Sequence, residues 1–117
     1  MIALVCAKEL NPNKLFLCSL SPYFKEDLDK IPQRWKNLMG KKRINDFSNI
    51  SFSQAVLGLQ VETKVFLGEL EARKFSVLEK RCMAVQKKIP QSQLIRINNA
   101  PHDIGNEHYI RALQKNI

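Results

Sequence analysis

Six residues are candidates for nucleophilic or metal chemistry. They are Cys6, Cys18, Cys82, His102, Asp103 and His108. A cysteine thiolate with a histidine base and an orienting carboxylate would form a nucleophilic site, and such groups need to be adjacent only in space. Each cysteine, however, lies within an apolar run, where a thiol is usually a small, buried and inert core residue. The sequence therefore favours no catalytic residue.

The same residues do not have the spacing of a metal site. His102 and His108 are six positions apart, which places them on different faces of a helix. The three cysteines form no CxxC pair, and their odd number argues against a disulfide framework. The four glycines never cluster into a phosphate-binding loop. We therefore expect no metal, no cofactor and no enzymatic activity.

Positive charge is concentrated in two stretches of the chain, whose net charge is +8. Residues 30–43 carry six cations and no acid, and residues 73–88 carry six cations and one acid. We call these stretches the two basic patches. Trp35 lies between Arg34 and Lys36, an arrangement that can stack a nucleic-acid base while the cations contact phosphate. The same charges would serve equally well for binding an acidic protein surface.

Apolar runs and turn residues predict a helix-dominated α+β fold. The runs 2–7 and 15–18 flank an Asn-Pro-Asn turn signal and predict an N-terminal β-hairpin. Two short helices around the same turn are the alternative, and they would make the fold an all-helical bundle. One or two short helices follow between 21 and 40, the first of them capped at Ser21-Pro22.

The stretch 51–89 predicts one long amphipathic helix. A capping box begins it at Ser51, apolar residues then recur at spacings of three and four, and Pro90 ends it. At 1.5 Å per residue such a helix would be about 58 Å long, which exceeds the width of a domain of this size. Either it breaks near Gly58 or Gly68, or a second copy of the chain covers the overhang, which predicts a homodimer when the chain is free of any other partner.

A short strand at 94–97 and a helix capped by Asn106 complete the predicted fold. The 117 residues are expected to form a single globular domain, because two domains would each be too small for a stable core. No apolar run approaches the ~20 residues of a membrane span, and the N-terminal run is too short for a signal peptide. These features predict a cytoplasmic protein without membrane contact.

The leading functional interpretation is non-catalytic protein binding. A helical domain with surplus amphipathic surface and two basic patches is typical of a small regulatory adaptor or inhibitor that docks on a larger, acidic protein. Nucleic-acid binding through the basic patches is the alternative. The predicted partner-binding residues lie on the basic patches and the long helix: Arg34, Trp35, Lys36, Lys41, Lys42, Arg43, Phe66, Leu70, Arg73, Lys74 and Val77.

Overall fold

The computed structural model, which describes residues 2–20 and 24–117, has helices on both faces of a small parallel sheet. These described residues are 56% helical with 16% strand, so the predicted helix-dominated α+β class is confirmed. In order, the elements are α1 (Ile2–Leu10), β1 (Lys14–Cys18), a 3-10 helix (Lys25–Lys30), α2 (Gln33–Met39), α3 (Lys41–Ser48), α4 (Phe52–Val56), β2 (Glu62–Gly68), α5 (Glu69–Lys74), α6 (Ser76–Lys88), β3 (Ser92–Ile97) and α7 (Glu107–Asn116).

The sheet has the strand order β1-β2-β3, and both pairings are parallel. Lys14 of β1 is in register with Glu62 of β2, and Thr63 of β2 is in register with Ser92 of β3. The central strand β2 is fully buried over 65–67. An uninterrupted apolar run is typical of a parallel strand with both faces covered, because neither face needs polar residues for water.

Two cores lie on opposite faces of this sheet. The larger one packs side chains of α1, α4 and α6 against Leu17, Val65 and Leu67. The smaller one packs Tyr109 of α7 against Phe66 and the end of β3. The larger core includes Leu4, Ala7, Ala55, Val56, Leu78, Cys82, Val85 and Ile89. Packed side chains therefore cover both faces of the sheet.

The predicted N-terminal β-hairpin is wrong, because its first run forms α1. Leu4 and Ala7, one helical turn apart, are buried in the larger core. Asn11 ends α1 with a left-handed backbone (φ 44°), and its N–H donates to the carbonyl of Ala7 at 3.1 Å. β1 then pairs with β2, far along the chain, so no local pattern could reveal its partner. The sheet also rules out the all-helical alternative.

The predicted helix over 51–89 is also wrong, although both of its ends are correct. Ser51 caps α4 and accepts a hydrogen bond from the N–H of Gln54, and α6 ends just before Pro90. Between them the predicted break near Gly58 is confirmed: α4 ends at Val56, the chain turns at Gly58 (φ 76°), and it then forms β2. A short, buried strand has no alternation to distinguish it from a buried helix, so the spacing of three and four was coincidental across β2. The same spacing at Leu78, Cys82 and Val85 is confirmed as the buried face of α6.

Without a helix of that length, no overhang needs to be covered. The structural reason for a homodimer is therefore gone, and the association state stays a prediction, as does the single-domain assignment. The strand at 94–97 is confirmed within β3, and the last helix is confirmed by Asn106, whose side chain accepts from the N–H of His108 at 3.0 Å. The cap predicted at Ser21-Pro22 lies outside the described residues.

Glu26 ties the 3-10 helix to the start of α4. Its carboxylate accepts hydrogen bonds from the hydroxyl of Ser51 at 2.6 Å and from the N–H of Phe52 at 2.9 Å. Partial burial opposes ionisation of Glu26, but these hydrogen bonds outweigh it and lower its pKa from 4.5 to about 2. The ionised carboxylate thus holds the 3-10 helix, which leads into α2, against the start of α4.

We expect these hydrogen bonds of Glu26 to make the stability of the fold depend on pH. Because the folded pKa of Glu26 is depressed, its contribution is present above the unfolded pKa of 4.5 and is lost as the pH falls toward about 2. Glu26→Gln should lower the melting temperature near neutral pH, and the difference from wild type should shrink across that acidic window. Thermal melts followed by circular dichroism at a series of pH values measure this difference in melting temperature. Asp29→Asn, an exposed change in the same helix, is the control, and a difference independent of pH would contradict the assignment.

Candidate functional site

Polar side chains converge where the three parallel strands end. Ser19 directly follows β1, Glu71 lies in the first turn of α5 after β2, and His102 lies in the loop after β3. Tyr109 of α7 joins them from the smaller core. In open parallel sheets, ligands bind at the carboxyl ends of the strands, so this edge is where a functional site is expected.

Glu71 is the centre of this network and is almost completely buried. One of its oxygens accepts hydrogen bonds from the N–H of Gly68 at 2.7 Å and from the hydroxyl of Tyr109. The other accepts from the hydroxyl of Ser19 at 2.9 Å and from Nδ1 of His102 at 2.7 Å. Four donors compensate the carboxylate for its loss of water. The network thereby joins the ends of all three strands.

Gly68 allows the loops after β2 and β3 to approach each other. A Cβ atom at this position would collide with the carbonyl oxygen of Ala100. The same oxygen accepts a hydrogen bond from the N–H of Leu70 at 3.1 Å. This close backbone contact brings the loop that carries His102 against the helix that carries Glu71.

His102 is oriented by the network but open to solvent, with 52% of its side chain exposed. The carboxylate of Glu71 accepts the Nδ1–H, so Nε2 is the ring nitrogen that remains for proton exchange, and it is directed away from the carboxylate. The ring of Phe75 packs edge-on against the imidazole, with the centroids 5.9 Å apart. A carboxylate that holds histidine through Nδ1 is the arrangement of a general acid–base group.

Groups near Glu71 are held in their protonated forms. Burial raises the pKa of Tyr109 well above its usual value, and the hydrogen bond to Glu71 adds to this effect. Burial also raises the pKa of Cys18, and that of Cys82 to about 12, with the charge of Glu71 as the second cause in both. A protonated thiol is a poor nucleophile. The expected burial is confirmed for Cys82, whereas Cys6 and Cys18 are only partly buried.

A cleft of about 910 Å³, which we call the basic cleft, opens beside His102 and Ser19. The 3-10 helix and α2 form one wall, and the end of α5 with the first half of α6 forms the other. Five cationic side chains line it: Lys30, Arg34, Lys74, Lys80 and Arg81. The two basic patches therefore contribute cations to the same cleft, which the sequence alone did not indicate.

Most of this positive charge is uncompensated. Asp27 also lines the cleft, but its buried carboxylate already pairs with Arg81, with the ammonium of Lys30 4.0 Å away. No carboxylate within 2–20 or 24–117 pairs with the remaining three cations, which are Arg34, Lys74 and Lys80. A cleft with low-dielectric walls and unpaired cations concentrates anions.

Comparison of the chain with protein-family models, curated proteins and solved structures finds no match. In the part of the chain that the structure describes, no three His, Cys, Asp or Glu side chains gather to hold a metal ion. None of the helices described there has the length and apolar character needed to span a bilayer.

The predicted partner-binding residues divide into groups. Four line the basic cleft: Arg34, Trp35, Lys74 and Val77. Four others lie on α2 and α3 beyond the cleft lining: Lys36, Lys41, Lys42 and Arg43. Leu70 and Arg73 lie on α5, where Leu70 is exposed and Arg73 pairs with Glu69. Phe66 is fully buried on β2, so it offers no surface to a partner.

Sequence reasoning missed Glu71, Ser19 and Tyr109. It considered Asp103 as the partner of His102, but Asp103 instead accepts a hydrogen bond from the N–H of Gly105 at 2.9 Å within its own turn. A signal for Glu71 would have appeared only if β2 and β3 had been recognised as parallel strands, since residues that follow such strands meet at one edge. The predicted helix over 51–89 concealed that signal.

Proposed function

We propose that the chain binds a small anionic ligand in the basic cleft and acts on it through His102 as a general acid or base. The observation that carries this proposal is the 2.7 Å hydrogen bond between buried Glu71 and half-exposed His102 at the edge of a cleft with unpaired cations. The proposal gives the chain a catalytic role that the sequence did not favour.

Each group has a separate part in this chemistry. Glu71 keeps the proton of His102 on Nδ1 and stabilises the imidazolium that forms when Nε2 takes a second proton. Lys74 and Arg34, on opposite walls, offset the negative charge of the ligand and of the reacting group. Proton transfer by a positioned histidine accelerates a reaction by about 10²–10⁴-fold. The arrangement thus supplies both binding and proton transfer.

Proton uptake on anion binding tests the proposal. Sulfate is a suitable probe because it does not titrate near neutral pH, so any proton taken up must go to the protein. Calorimetry in two buffers of different ionisation enthalpy should show uptake of a fraction of a proton, because a nearby anion favours the imidazolium form. His102→Gln should abolish the uptake.

Two matched variants serve as controls. His108→Gln changes the chain's other histidine and should leave the proton uptake intact. Lys74→Ala should weaken sulfate binding several-fold, whereas Lys115→Ala, on α7 outside the cleft lining, should not. Undiminished uptake in His102→Gln, or no sulfate binding by the wild type, would show that the proposal is wrong.

A second candidate function is docking of an acidic protein on α2 and α3, as the sequence favoured. The specific observation is that neither helix contains a buried residue, although the pair carries most of the first basic patch. Lys41, Lys42 and Arg43 are exposed together in the first turn of α3. Solvent-exposed cations on a helix that has no buried residues are complementary to an acidic protein surface.

Polyglutamate and a short DNA duplex separate this docking surface from the nucleic-acid alternative. If the surface serves an acidic protein, polyglutamate should bind, and the triple change of Lys41, Lys42 and Arg43 to alanine should release it. Tighter binding of the duplex, with a steep fall in affinity as salt rises, would favour nucleic acid instead. Binding of neither at ~150 mM salt would end this second proposal.

A further inference from the structure

The chemical class of the ligand can be inferred from the groups that line the basic cleft, and this inference rests on the function proposed above. Arg34, Lys74 and Lys80 have no carboxylate partner among the described residues, and they come from both walls. A monocarboxylate could neutralise one of them. A phosphate or diphosphate carries enough charge and enough acceptor oxygens for all three. The charge of the cleft therefore favours a phosphorylated ligand.

Aromatic rings lie beside two of these cations. The guanidinium of Arg34 is 5.9 Å from the ring centre of Trp35, and the ammonium of Lys74 is 5.4 Å from the ring centre of Phe75. Both rings line the cleft, one on each wall, and Trp35 is 44% exposed. An aromatic ring next to a cation stacks a flat heterocycle while the cation contacts the attached phosphate.

Exposure of the indole also favours a ligand that combines a flat heterocycle with a phosphate. Trp35 lies on α2, a helix with no buried residues, so the larger core does not explain its place in the cleft. A stacked base would cover the exposed face of the indole. Removal of this apolar surface from water stabilises the complex. Inorganic phosphates have no apolar face to cover it, and the face of a sugar ring is smaller than that of a nucleobase and not aromatic.

We propose that the ligand is a nucleotide, with its base stacked on Trp35 and its phosphates bound by Arg34, Lys74 and Lys80. A base with a phosphate could come from a free nucleotide or from the end of a single strand. The volume of about 910 Å³ lies in the range of small-molecule sites, which favours the free nucleotide.

Intrinsic fluorescence provides a direct test, because Trp35 is the only tryptophan in the chain. The probes are ADP and UDP as a purine and a pyrimidine nucleotide, pyrophosphate for the phosphates alone, adenosine for the base alone, and a short single-stranded oligonucleotide. At least one nucleotide should quench the fluorescence of Trp35 and bind roughly tenfold or more tightly than pyrophosphate. A tenfold ratio corresponds to the lower part of the range of free energies for stacking of a base on an aromatic ring. Adenosine should bind more weakly than ADP.

Variants at the stacking position separate the base from the phosphates, with calorimetry replacing fluorescence. Trp35→Leu should weaken nucleotide binding about tenfold and leave pyrophosphate binding unchanged, whereas Trp35→Phe should retain most of the nucleotide affinity. Leu38→Ala, a change at an exposed residue of the same helix outside the cleft lining, should change neither. The wild-type ratio of nucleotide to pyrophosphate affinity supplies the test even if a variant fails to fold.

The outcomes distinguish this inference from the function on which it rests. Pyrophosphate that binds as tightly as ADP and UDP would overturn the nucleotide inference and leave an anion site with His102 intact. Absence of binding by every phosphate probe and by sulfate would overturn both. An oligonucleotide that binds more than about tenfold tighter than either nucleotide would assign the cleft to a strand end and overturn the free-nucleotide proposal.

Discussion

Glu71→Gln is expected to lower the free energy of unfolding by about 3 kcal/mol, because it leaves a buried hydrogen-bond network mismatched. Four donors point at the carboxylate of Glu71, from Gly68, Ser19, His102 and Tyr109. A glutamine amide has one acceptor oxygen, and its NH₂ group would face donors on the other side. The loss should be among the largest for any isosteric change in the chain.

Chemical denaturation measures this loss, and Glu107→Gln supplies the matched control. Glu107 is exposed on α7 and pairs with Arg111 four residues on, so its replacement should change stability by less than about 0.5 kcal/mol. The same Glu71 variant should lose proton uptake on sulfate binding, since His102 is no longer oriented. A Glu71 variant as stable as the Glu107 variant would contradict the role assigned to the network.

Arg81→Met is expected to destabilise the chain by about 3 kcal/mol, because the buried carboxylate of Asp27 keeps only the ammonium of Lys30 at 4.0 Å and the N–H of Phe24 at 3.2 Å. The Asp27 side chain is 4% exposed and the Arg81 side chain 11%. Arg81 also lies over Phe52, with its guanidinium carbon 4.2 Å from the ring centre, and so loses stacking when replaced.

A double-mutant cycle isolates the charged pair. Arg81 Nε is buried without a hydrogen-bond partner in the described ranges, so the pair is incompletely satisfied. Replacing both residues, as in Asp27→Leu with Arg81→Met, should therefore recover part of the stability lost in the single variant, although the N–H of Phe24, which donates to Asp27 at 3.2 Å, loses its acceptor. Denaturant titration of the wild type, both singles and the double gives the coupling energy. A double variant less stable than Arg81→Met alone would show that the buried carboxylate of Asp27 without Arg81 is not the cause of the lost stability.

Local signals in the sequence identified the ends of several elements correctly. Ser51 and Asn106 are helix caps in the structure, and Gly40 follows α2 with a φ of 77°. Each depends on a few adjacent residues, which a single sequence displays. Strand pairing does not, because β1 and β2 are separated by a crossover of four helices. The parallel sheet, and with it the helix–strand alternation, could not be read from local patterns.

The candidate site was missed for the same reason. The two basic patches were recognised from composition, but only the folded chain shows that Arg34 and Lys74 face one cleft. The network of Glu71 joins residues from Ser19 to Tyr109, and its members become neighbours only through the register of the sheet. Long-range geometry, not residue type, therefore decided which charged groups form the site.

The unequal lengths of the two crossovers have a consequence for the order in which the site assembles. The chain from β2 to β3 passes through α5 and α6, whereas that from β1 to β2 passes through the 3-10 helix, α2, α3 and α4. A shorter loop costs less entropy to close, so β2 and β3 should pair before β1 joins them. During refolding, Glu71 would then meet His102 early, and Ser19 and the wall that carries Trp35 would arrive last. In this order of assembly, His102 is held by Glu71 before the basic cleft has both of the segments that line it.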